Sequence, residues 1–359
     1  MVSTTKRTLK LARTTWTRAR RVVTTVMSKD CFDAFSTVHR EIVRSALVAA
    51  FGSTPIGSVT PIAGGASGAS PFRVEVGDRR YLVRVEGRAS PLHNPHQYVS
   101  MRIAAEAGIA PRIHYIDEAA RVTVTDFIEQ QPLQVYPGGP RALAQALGKL
   151  LGRLQAAPVF PQFVDYPDIV ARLFAHVRRT GLFAAGLLDA HVERLERVRE
   201  AYAAGSARLV SSHNDPIPSN ILFDGERLWL IDWESAYRND PLVDVATVLD
   251  TLAPSPELED VLLQAWLGHA PDEALRARLE LIRALTRLYY AGVLLSASAA
   301  ASRAIPDTDL SAPTLPELQQ AIREGRLKPG APETKHILGK MFLASFFSGV
   351  APPGFDAAV

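Results

Sequence analysis

The sequence has little cysteine, little net charge and no long uninterrupted apolar run. Its single cysteine, Cys31, cannot form an internal disulfide or a cysteine-based metal site. Nothing in the composition therefore indicates an oxidising compartment, and we expect a cytoplasmic protein. The best candidate for a membrane span, residues 281–301, contains Arg283 and Arg287, so we predict a soluble chain with no transmembrane segment.

The net charge of +3 conceals an asymmetry along the chain. Residues 1–29 carry eight Lys or Arg and no acid, whereas the remainder carries 32 basic and 37 acidic residues. A mildly acidic body argues against nucleic acid as a partner, because phosphate binding needs a concentrated basic surface. The basic segment 1–30 has several interpretations: a disordered tail, a start assigned too far upstream with Met27 as the true start, organelle targeting, or membrane-surface association.

A chain of 359 residues with 47% hydrophobic content is long enough for two lobes. Residues 38–130 predict a small sheet with one or two helices. A glycine-rich turn, PIAGGASGAS (61–70), precedes PFRVEV and YLVRVEG, which alternate as a hairpin around GDRR. The next segments predict a helix closed by Gly108 and then two more strands, RIHYID and RVTVTDFIE.

Residues 131–359 change to helical patterns. The segment 141–156, RALAQALGKLLGRLQA, places five leucines along one face of a buried amphipathic helix. Those leucines are Leu143, Leu147, Leu150, Leu151 and Leu154. Further helical patterns cover residues 167–204 and resume at Val243, and a loop with a short strand pair separates them.

That interrupting segment, SSHNDPIPSN (211–220), is followed by LWLIDWE (228–234), an apolar strand that ends on acids. A loop carboxylate, Asp215, can orient an alcohol and accept its proton during attack on a phosphoryl group. The amide oxygen of Asn220 and the carboxylate of Asp232 can hold magnesium, which prefers oxygen ligands. The spacing H-x-D-x-x-x-x-N, with an acid after the next strand, is the catalytic-loop and metal-loop arrangement of kinases.

On these residues the chain resembles the aminoglycoside phosphotransferase and choline kinase family. The segment 212–246, SHNDPIPSNILFDGERLWLIDWESAYRNDPLVDVA, is most similar to bacterial choline kinases and their thiamine-kinase relatives. The resemblance extends over most of residues 38–300 and includes AGIAPRIHYID (107–117). It implies an α+β, two-lobed protein-kinase-like fold with a small β-rich N-lobe (38–130) and a larger helical C-lobe (131–359).

The same resemblance implies roles for the residues of the two acidic loops. Asp215 would be the catalytic base, His213 would brace the catalytic loop, and Asn220 with Asp232 would bind Mg²⁺. Asp244 is interpreted as a structural residue bonded to that loop.

The resemblance also implies a nucleotide site for ATP. Arg84, in YLVRVEG, would contact the phosphates where many kinases use lysine, and its permanent charge preserves that function. Residues Asp126 to Ile128 would form the hinge that accepts adenine. Backbone amides around Gly64, Gly65, Ser67 and Gly68 would cover the phosphates.

Two positions depart from the family pattern. Gln97 or a neighbour stands where the small-lobe helix would offer a glutamate to Arg84, so the usual ion pair is missing or supplied elsewhere. Gln155 stands where relatives often have histidine.

Simpler interpretations remain open at this stage. Asp215 and Asn220 could cap loops, the glycine segment could be a plain turn, and Arg84 could be a surface arginine. An ammonium group could bind against Trp233, Glu234 and Tyr237, but these residues could equally be core packing plus one loop acid. Tyr289 and Tyr290 carry the same ambiguity.

The sequence therefore predicts an ATP- and Mg²⁺-dependent transfer of the γ-phosphoryl group to a hydroxyl of a small molecule. Amino alcohols such as choline or ethanolamine are the favoured acceptors. The alternatives are an aminoglycoside-type antibiotic phosphotransferase and a nucleotide-binding pseudokinase that acts as an interaction module. The sequence gives no indication of the oligomeric state.

Overall fold

The N-lobe is a five-stranded antiparallel sheet in the order β1-β2-β3-β5-β4, covered by helix α1. Both lobes are described from a computed structural model, which covers residue 32 and residues 35–62, 69–87, 93–205, 208–299 and 305–348. The predicted basic tail, residues 1–30, and residues 63–68 of the predicted glycine-rich turn lie outside these residues. The N-lobe elements are α1 (Thr37–Phe51), β1 (Ile56–Pro61), β2 (Ser70–Val76), β3 (Arg79–Val85), α2 (Gln97–Glu106), β4 (Ile113–Asp117) and β5 (Val122–Asp126).

The hairpin of β2 and β3 forms where the alternating pattern predicts it. Phe72 pairs with Val83 and Val74 pairs with Tyr81 in register, and all four side chains are buried beneath α1. Because side chains alternate across a strand, Arg84 projects to the opposite face of the sheet from Val83. The strand pattern thus directs Arg84 away from the core that α1 covers.

Helix α2 belongs to the packing of the helical half, although it lies between strands in sequence. The carbonyl of Ala236 accepts hydrogen bonds of 2.8 Å from the side chains of Asn94 and Ser100. Ala104 and Ile109 are buried in the core of the helical half, and Ile109 O accepts the Leu230 amide at 3.0 Å. The junction after α2 is therefore fixed to the C-lobe.

The C-lobe is built from helices around two small antiparallel strand pairs, β6 with β9 and β7 with β8. The five leucines predicted to share one helix face are all buried. The helices are α3 (Gly139–Ala156), α4 (Tyr166–Arg179), α5 (Asp189–Ala204), α6 (Pro241–Leu252), α7 (Pro256–Leu267), α8 (Glu273–Ser298), α9 (Leu315–Arg323) and α10 (Pro332–Ser348). The strands are β6 (Val210–Ser212), β7 (Ile221–Phe223), β8 (Leu228–Leu230) and β9 (Tyr237–Asn239).

The predicted fold class is confirmed: a small antiparallel sheet is joined to a larger helical half. Among the residues that the structure describes, no helix is both long enough and apolar enough to span a bilayer.

Candidate active site

The loop between β6 and β7 is held from both sides by buried polar contacts. Asp244, in the first turn of α6, accepts the backbone N–H of His213 at 2.9 Å and that of Asn214 at 2.7 Å. The buried His213 ring donates from Nε2 to the Ile231 carbonyl at 2.8 Å. Burial lowers the pKa of His213 to about 4, so the ring is neutral near pH 7. His213 thus ties this loop to the residue that precedes Asp232.

Asp215 lies in that loop with both carboxylate oxygens engaged. Its Oδ2 accepts a hydrogen bond of 3.1 Å from Asn220 Nδ2, and its Oδ1 accepts one of 2.9 Å from the Tyr290 hydroxyl. The Asn220 amide also donates to the Asp215 carbonyl at 2.9 Å. These contacts fix the carboxylate from two directions and link the loop to α8.

The environment of Asp215 makes its carboxylate more basic than an exposed one. Burial raises the pKa of Asp215 to about 8, with a further contribution from the negative charge of Asp232. Hydrogen bonds from Tyr290 and Asn220 oppose that rise in the pKa. A carboxylate with a pKa near neutrality is suited to accept a proton in the reaction.

Asp232 lies between the two lobes in an unusual backbone conformation. Its φ of 65° is in the left-handed region, and so is the φ of 63° at Asn214. Of the non-glycine residues the structure describes, only these two and Arg121 have a positive φ. Such conformations persist where surrounding contacts hold them, and they concentrate at functional sites.

The Arg84 side chain reaches from the sheet across the cleft to the acidic loop after β8, which carries Asp232 and Glu234. Its Nη2 lies 2.9 Å from Asp232 Oδ1, and it also forms an ion pair with Glu234. Burial acts to lower the pKa of Arg84, but the charges of Asp232 and Glu234 outweigh it and the net shift is upward. The cation is therefore held at the acidic loop.

The ion pair that the family pattern expects from the small-lobe helix is supplied elsewhere. Gln97, at the start of α2, donates to Glu86 at 2.8 Å, and Glu86 also accepts from Arg121 at 2.9 Å. Arg84 is paired with the C-lobe acids Asp232 and Glu234. Arg84 therefore has acidic partners, so the departure at Gln97 does not by itself favour a pseudokinase.

Gln155, the second position that departs from the family pattern, makes two side-chain hydrogen bonds to neighbouring helices. Its amide nitrogen donates to the Pro241 carbonyl at 2.9 Å, and its oxygen accepts from the Trp266 indole at 2.7 Å. Gln155 therefore joins α3, α6 and α7.

A small cavity of about 60 Å³ lies beside Glu234. The rings of Phe163 and Tyr237 meet edge to face in its wall, with centroids 5.6 Å apart. Its lining combines three aromatic, three aliphatic and three polar side chains: Phe163, Tyr237 and Tyr289; Ile169, Leu173 and Val293; Asn94, Glu234 and Ser235.

Other residues predicted to belong to the site lie away from this cavity or outside the residues that the structure describes. Trp233 is 4% exposed, packs against His213 with ring centroids 4.7 Å apart, and does not line the cavity. Its core-packing interpretation fits this position better than acceptor contact. Asp126 ends β5 and contacts His114 Nε2 at 2.7 Å, and Ile128 is half-buried just after it. Gly64, Gly65, Ser67 and Gly68 lie outside the described residues.

Two acids near the start of α7 are paired with arginines of α8. Glu259 pairs with Arg283 at 2.7 Å, and Asp260 pairs with Arg276 at 2.6 Å.

The sequence did not reveal Phe163 or the contact between Tyr290 and Asp215. Phe163 follows no motif, and nothing local distinguishes it from a core aromatic residue. The adjacent tyrosines on the buried face of α8 were a visible signal, because buried phenols need a polar partner.

The donor set also fits a divalent cation. Asn220 uses its amide nitrogen on Asp215, which directs the amide oxygen elsewhere, and the Asp232 side chain is 27% exposed. Two oxygen ligands that leave room for nucleotide phosphates and water are typical of protein magnesium sites. Asn220 and Asp232 could therefore hold Mg²⁺.

Comparison with known proteins agrees with this geometry. Residues 58–282, more than half of the chain, match the phosphotransferase enzyme family. The chain belongs to that family.

Individual proteins that resemble this chain share only 12–26% of its residues over the matched regions. Protein LicA of Haemophilus influenzae is 26% identical over 167 residues, which are 45% of this chain and 62% of that protein's length. A choline/ethanolamine kinase family protein from Mesorhizobium loti has a TM-score of 0.58 at 22% identity, over 89% of this chain and 97% of that one. Spectinomycin phosphotransferase, solved with ADP and spectinomycin, has a TM-score of 0.53 at 12% identity, over 89% and 96% of the two chains. At these identities the structural likeness establishes the fold.

Proposed function

We propose that the protein transfers the γ-phosphoryl group of ATP to the hydroxyl of a small amino alcohol, such as choline or ethanolamine. The observation that carries this proposal is the convergence of Asp215, Asn220, Asp232 and Arg84 at the cleft between sheet and helices. A positioned base, two oxygen ligands and a phosphate-binding cation are the parts that phosphoryl transfer needs.

Each of these residues has a distinct task. Asp215 would orient the acceptor hydroxyl in line with the γ-phosphate and take its proton. Arg84 would bind the phosphates, and the segment from Asp126 to Ile128 would hold the adenine. Asn220 and Asp232 would hold Mg²⁺, which neutralises phosphate charge when it is bound.

The cavity beside Glu234 favours a small cationic acceptor. At about 60 Å³ the cavity is far smaller than the pockets of about 300–1,000 Å³ typical of drug-sized ligands, so it favours a small group over a multi-ring antibiotic. Faces of Phe163, Tyr237 and Tyr289 with the nearby carboxylate of Glu234 can attract such a cation. The structural neighbours include both choline kinases and antibiotic phosphotransferases.

The test is Mg²⁺-dependent release of ADP from ATP across a panel of choline, ethanolamine, thiamine, sugars and aminoglycosides. We expect choline or ethanolamine to stimulate release and ³¹P NMR to identify the phosphomonoester. Asp215→Asn should remove acceptor-stimulated release while it leaves ATP binding intact. Asp168→Asn, which changes an acid on the outer side of α4, is the matched control and should behave as wild type.

Three results would contradict the proposal. Stimulation by aminoglycosides alone would make the protein an antibiotic phosphotransferase. ATP binding without turnover on any acceptor would favour the pseudokinase. Turnover that survives Asp215→Asn would remove Asp215 from the role of base.

A further inference from the structure

Glu234 touches both substrate sites at once. Its carboxylate pairs with Arg84, the cation assigned to the nucleotide phosphates, and the same side chain lines the small aromatic cavity assigned to the acceptor. Arg84 in turn lies 2.9 Å from Asp232. One side chain therefore joins the two sites directly.

The two ligands bring charges that compete for this ion pair. Nucleotide phosphates are anions, so they compete with Glu234 for Arg84. An ammonium alcohol is a cation, so it competes with Arg84 for Glu234. When the phosphates take Arg84 from Glu234, the ammonium group can pair with Glu234. When the ammonium group takes Glu234 from Arg84, the phosphates can pair with Arg84.

The setting makes this exchange energetically significant. The Arg84 side chain is 17% exposed and the Glu234 side chain is 42% exposed, so water screens the pair less than it screens a surface salt bridge. Separating the pair costs the attraction between the two charges, while Arg84 keeps Asp232 at 2.9 Å. Binding of the first ligand incurs that cost, and binding of the second ligand relieves it.

We propose that Glu234 couples the two sites, so that nucleotide and cationic acceptor each increase the affinity of the enzyme for the other. The inference rests on the proposed function, because it takes the acceptor to be a cation. Linkage requires the effect to be equal in both directions. Couplings of this kind are typically about 5- to 150-fold.

The first experiment measures nucleotide binding with no acceptor present. Isothermal titration with Mg²⁺ and the non-hydrolysable β,γ-imido analogue of ATP compares wild type with Glu234→Gln. The variant keeps the shape of the side chain but loses the charge that competes for Arg84, so we expect tighter nucleotide binding, by about 5-fold or more. Glu196→Gln, on the outer helix α5, is the matched control and should bind as wild type.

A double-mutant cycle with Arg84→Gln separates competition from a general charge effect. If Glu234 acts through Arg84, Glu234→Gln will change nucleotide affinity only while Arg84 is present. An equal gain in the Arg84→Gln background would overturn the proposal, because it would mean that Glu234 simply repels the triphosphate.

The second experiment measures acceptor binding with and without the ATP analogue. We expect the analogue to tighten choline in wild type but to leave its neutral analogue 3,3-dimethylbutan-1-ol unchanged. In Glu234→Gln the choline affinity should fall and its dependence on nucleotide should disappear. A side chain with only a structural role would not strengthen one ligand and weaken the other.

The two experiments also separate this inference from the proposed function. Cooperativity that persists in Glu234→Gln, or unchanged nucleotide affinity in that variant, overturns the coupling. If no ammonium alcohol binds even with nucleotide present, the proposed acceptor class is wrong and coupling to a cationic acceptor falls with it. The nucleotide experiment would still decide whether Glu234 competes for Arg84.

Discussion

The hydroxyl of Tyr290 donates a hydrogen bond of 2.9 Å to Asp215 Oδ1, across a sequence separation of 75 residues. Burial is the largest of the causes that hold the pKa of Tyr290 well above its usual range, so the phenol stays protonated and acts as a donor. The contact places the carboxylate orientation under the control of α8. Tyr290 is therefore a positioning residue for the proposed base.

We predict that Tyr290→Phe lowers kcat by about 10- to 100-fold, because a hydrogen bond to a charged group is worth about 1.5–3 kcal/mol. The KM for ATP should change little, since Tyr290 lies in the helical half. Tyr289→Phe is the comparison, because it removes a hydroxyl from a residue that lines the proposed acceptor cavity, so its effect should fall on acceptor KM. Steady-state kinetics of both variants would test this, and unchanged kcat in Tyr290→Phe would contradict it.

Asp244 and Asp250 form a matched pair of buried acids on α6. Asp244 accepts two backbone N–H groups of the proposed catalytic loop, whereas Asp250 pairs with Arg283 at 3.0 Å and Arg287 at 3.2 Å. An asparagine at position 244 can accept one of those N–H groups but presents a donor to the other. We expect Asp244→Asn to cost about 2 kcal/mol of unfolding free energy and to reduce kcat.

Asp250→Asn should also lose stability, because it leaves buried arginines undercompensated. It should retain kcat, since Asp250 does not contact the catalytic loop. Urea denaturation and kinetics on both variants provide the measurement. Equal losses of kcat in the two variants would mean that Asp244 acts only through global stability.

Local features of the sequence predicted much of this architecture. The hairpin of β2 and β3 follows from strict alternation, and the short spacing of Asp215 and Asn220 anticipated that the two side chains lie in one loop. The pairing of Arg84 with Glu234 joins residues 150 positions apart, so no local period could indicate it. The sequence showed that the usual glutamate was absent, but only the fold shows which acid replaces it.

The contact between α3 and α7 requires glycine at position 148 but not at position 152. A Cβ added at Gly148 would lie 2.4 Å from the Leu262 carbonyl oxygen, whereas one at Gly152 would lie 3.6 Å from the Trp266 carbonyl oxygen. We predict that Gly148→Ala costs about 1–3 kcal/mol by forcing the helices apart. Gly152→Ala should be neutral or stabilising by about 0.5–1 kcal/mol, because alanine is the better helix former. Thermal unfolding of the two variants decides this, and equal effects would contradict it.

Asp307 fastens the segment before α9 to α10. Its Oδ2 lies 2.7 Å from His336 Nε2 and 3.1 Å from Lys340 Nζ. Burial acts to raise the pKa of Asp307, but the hydrogen bonds from His336 and Lys340 outweigh it and lower the pKa to about 2, from 3.8. Because the folded-state pKa is depressed, the stabilisation is present above pH 3.8 and is lost as the pH falls toward 2.

Asp307→Asn should therefore lower stability at pH 7 by about 1 kcal/mol, a figure reduced for solvent screening. The difference from wild type should shrink at pH 3, where part of the wild-type carboxylate is already protonated in the unfolded chain. Urea denaturation at both pH values measures it. Ser311→Ala is the control for a change in the same segment that leaves the Asp307 contacts in place, because Ser311 bonds Asp309 and not Asp307. A loss in Asp307→Asn that is equal at pH 7 and pH 3 would show that the amide disturbs packing instead of removing a charge.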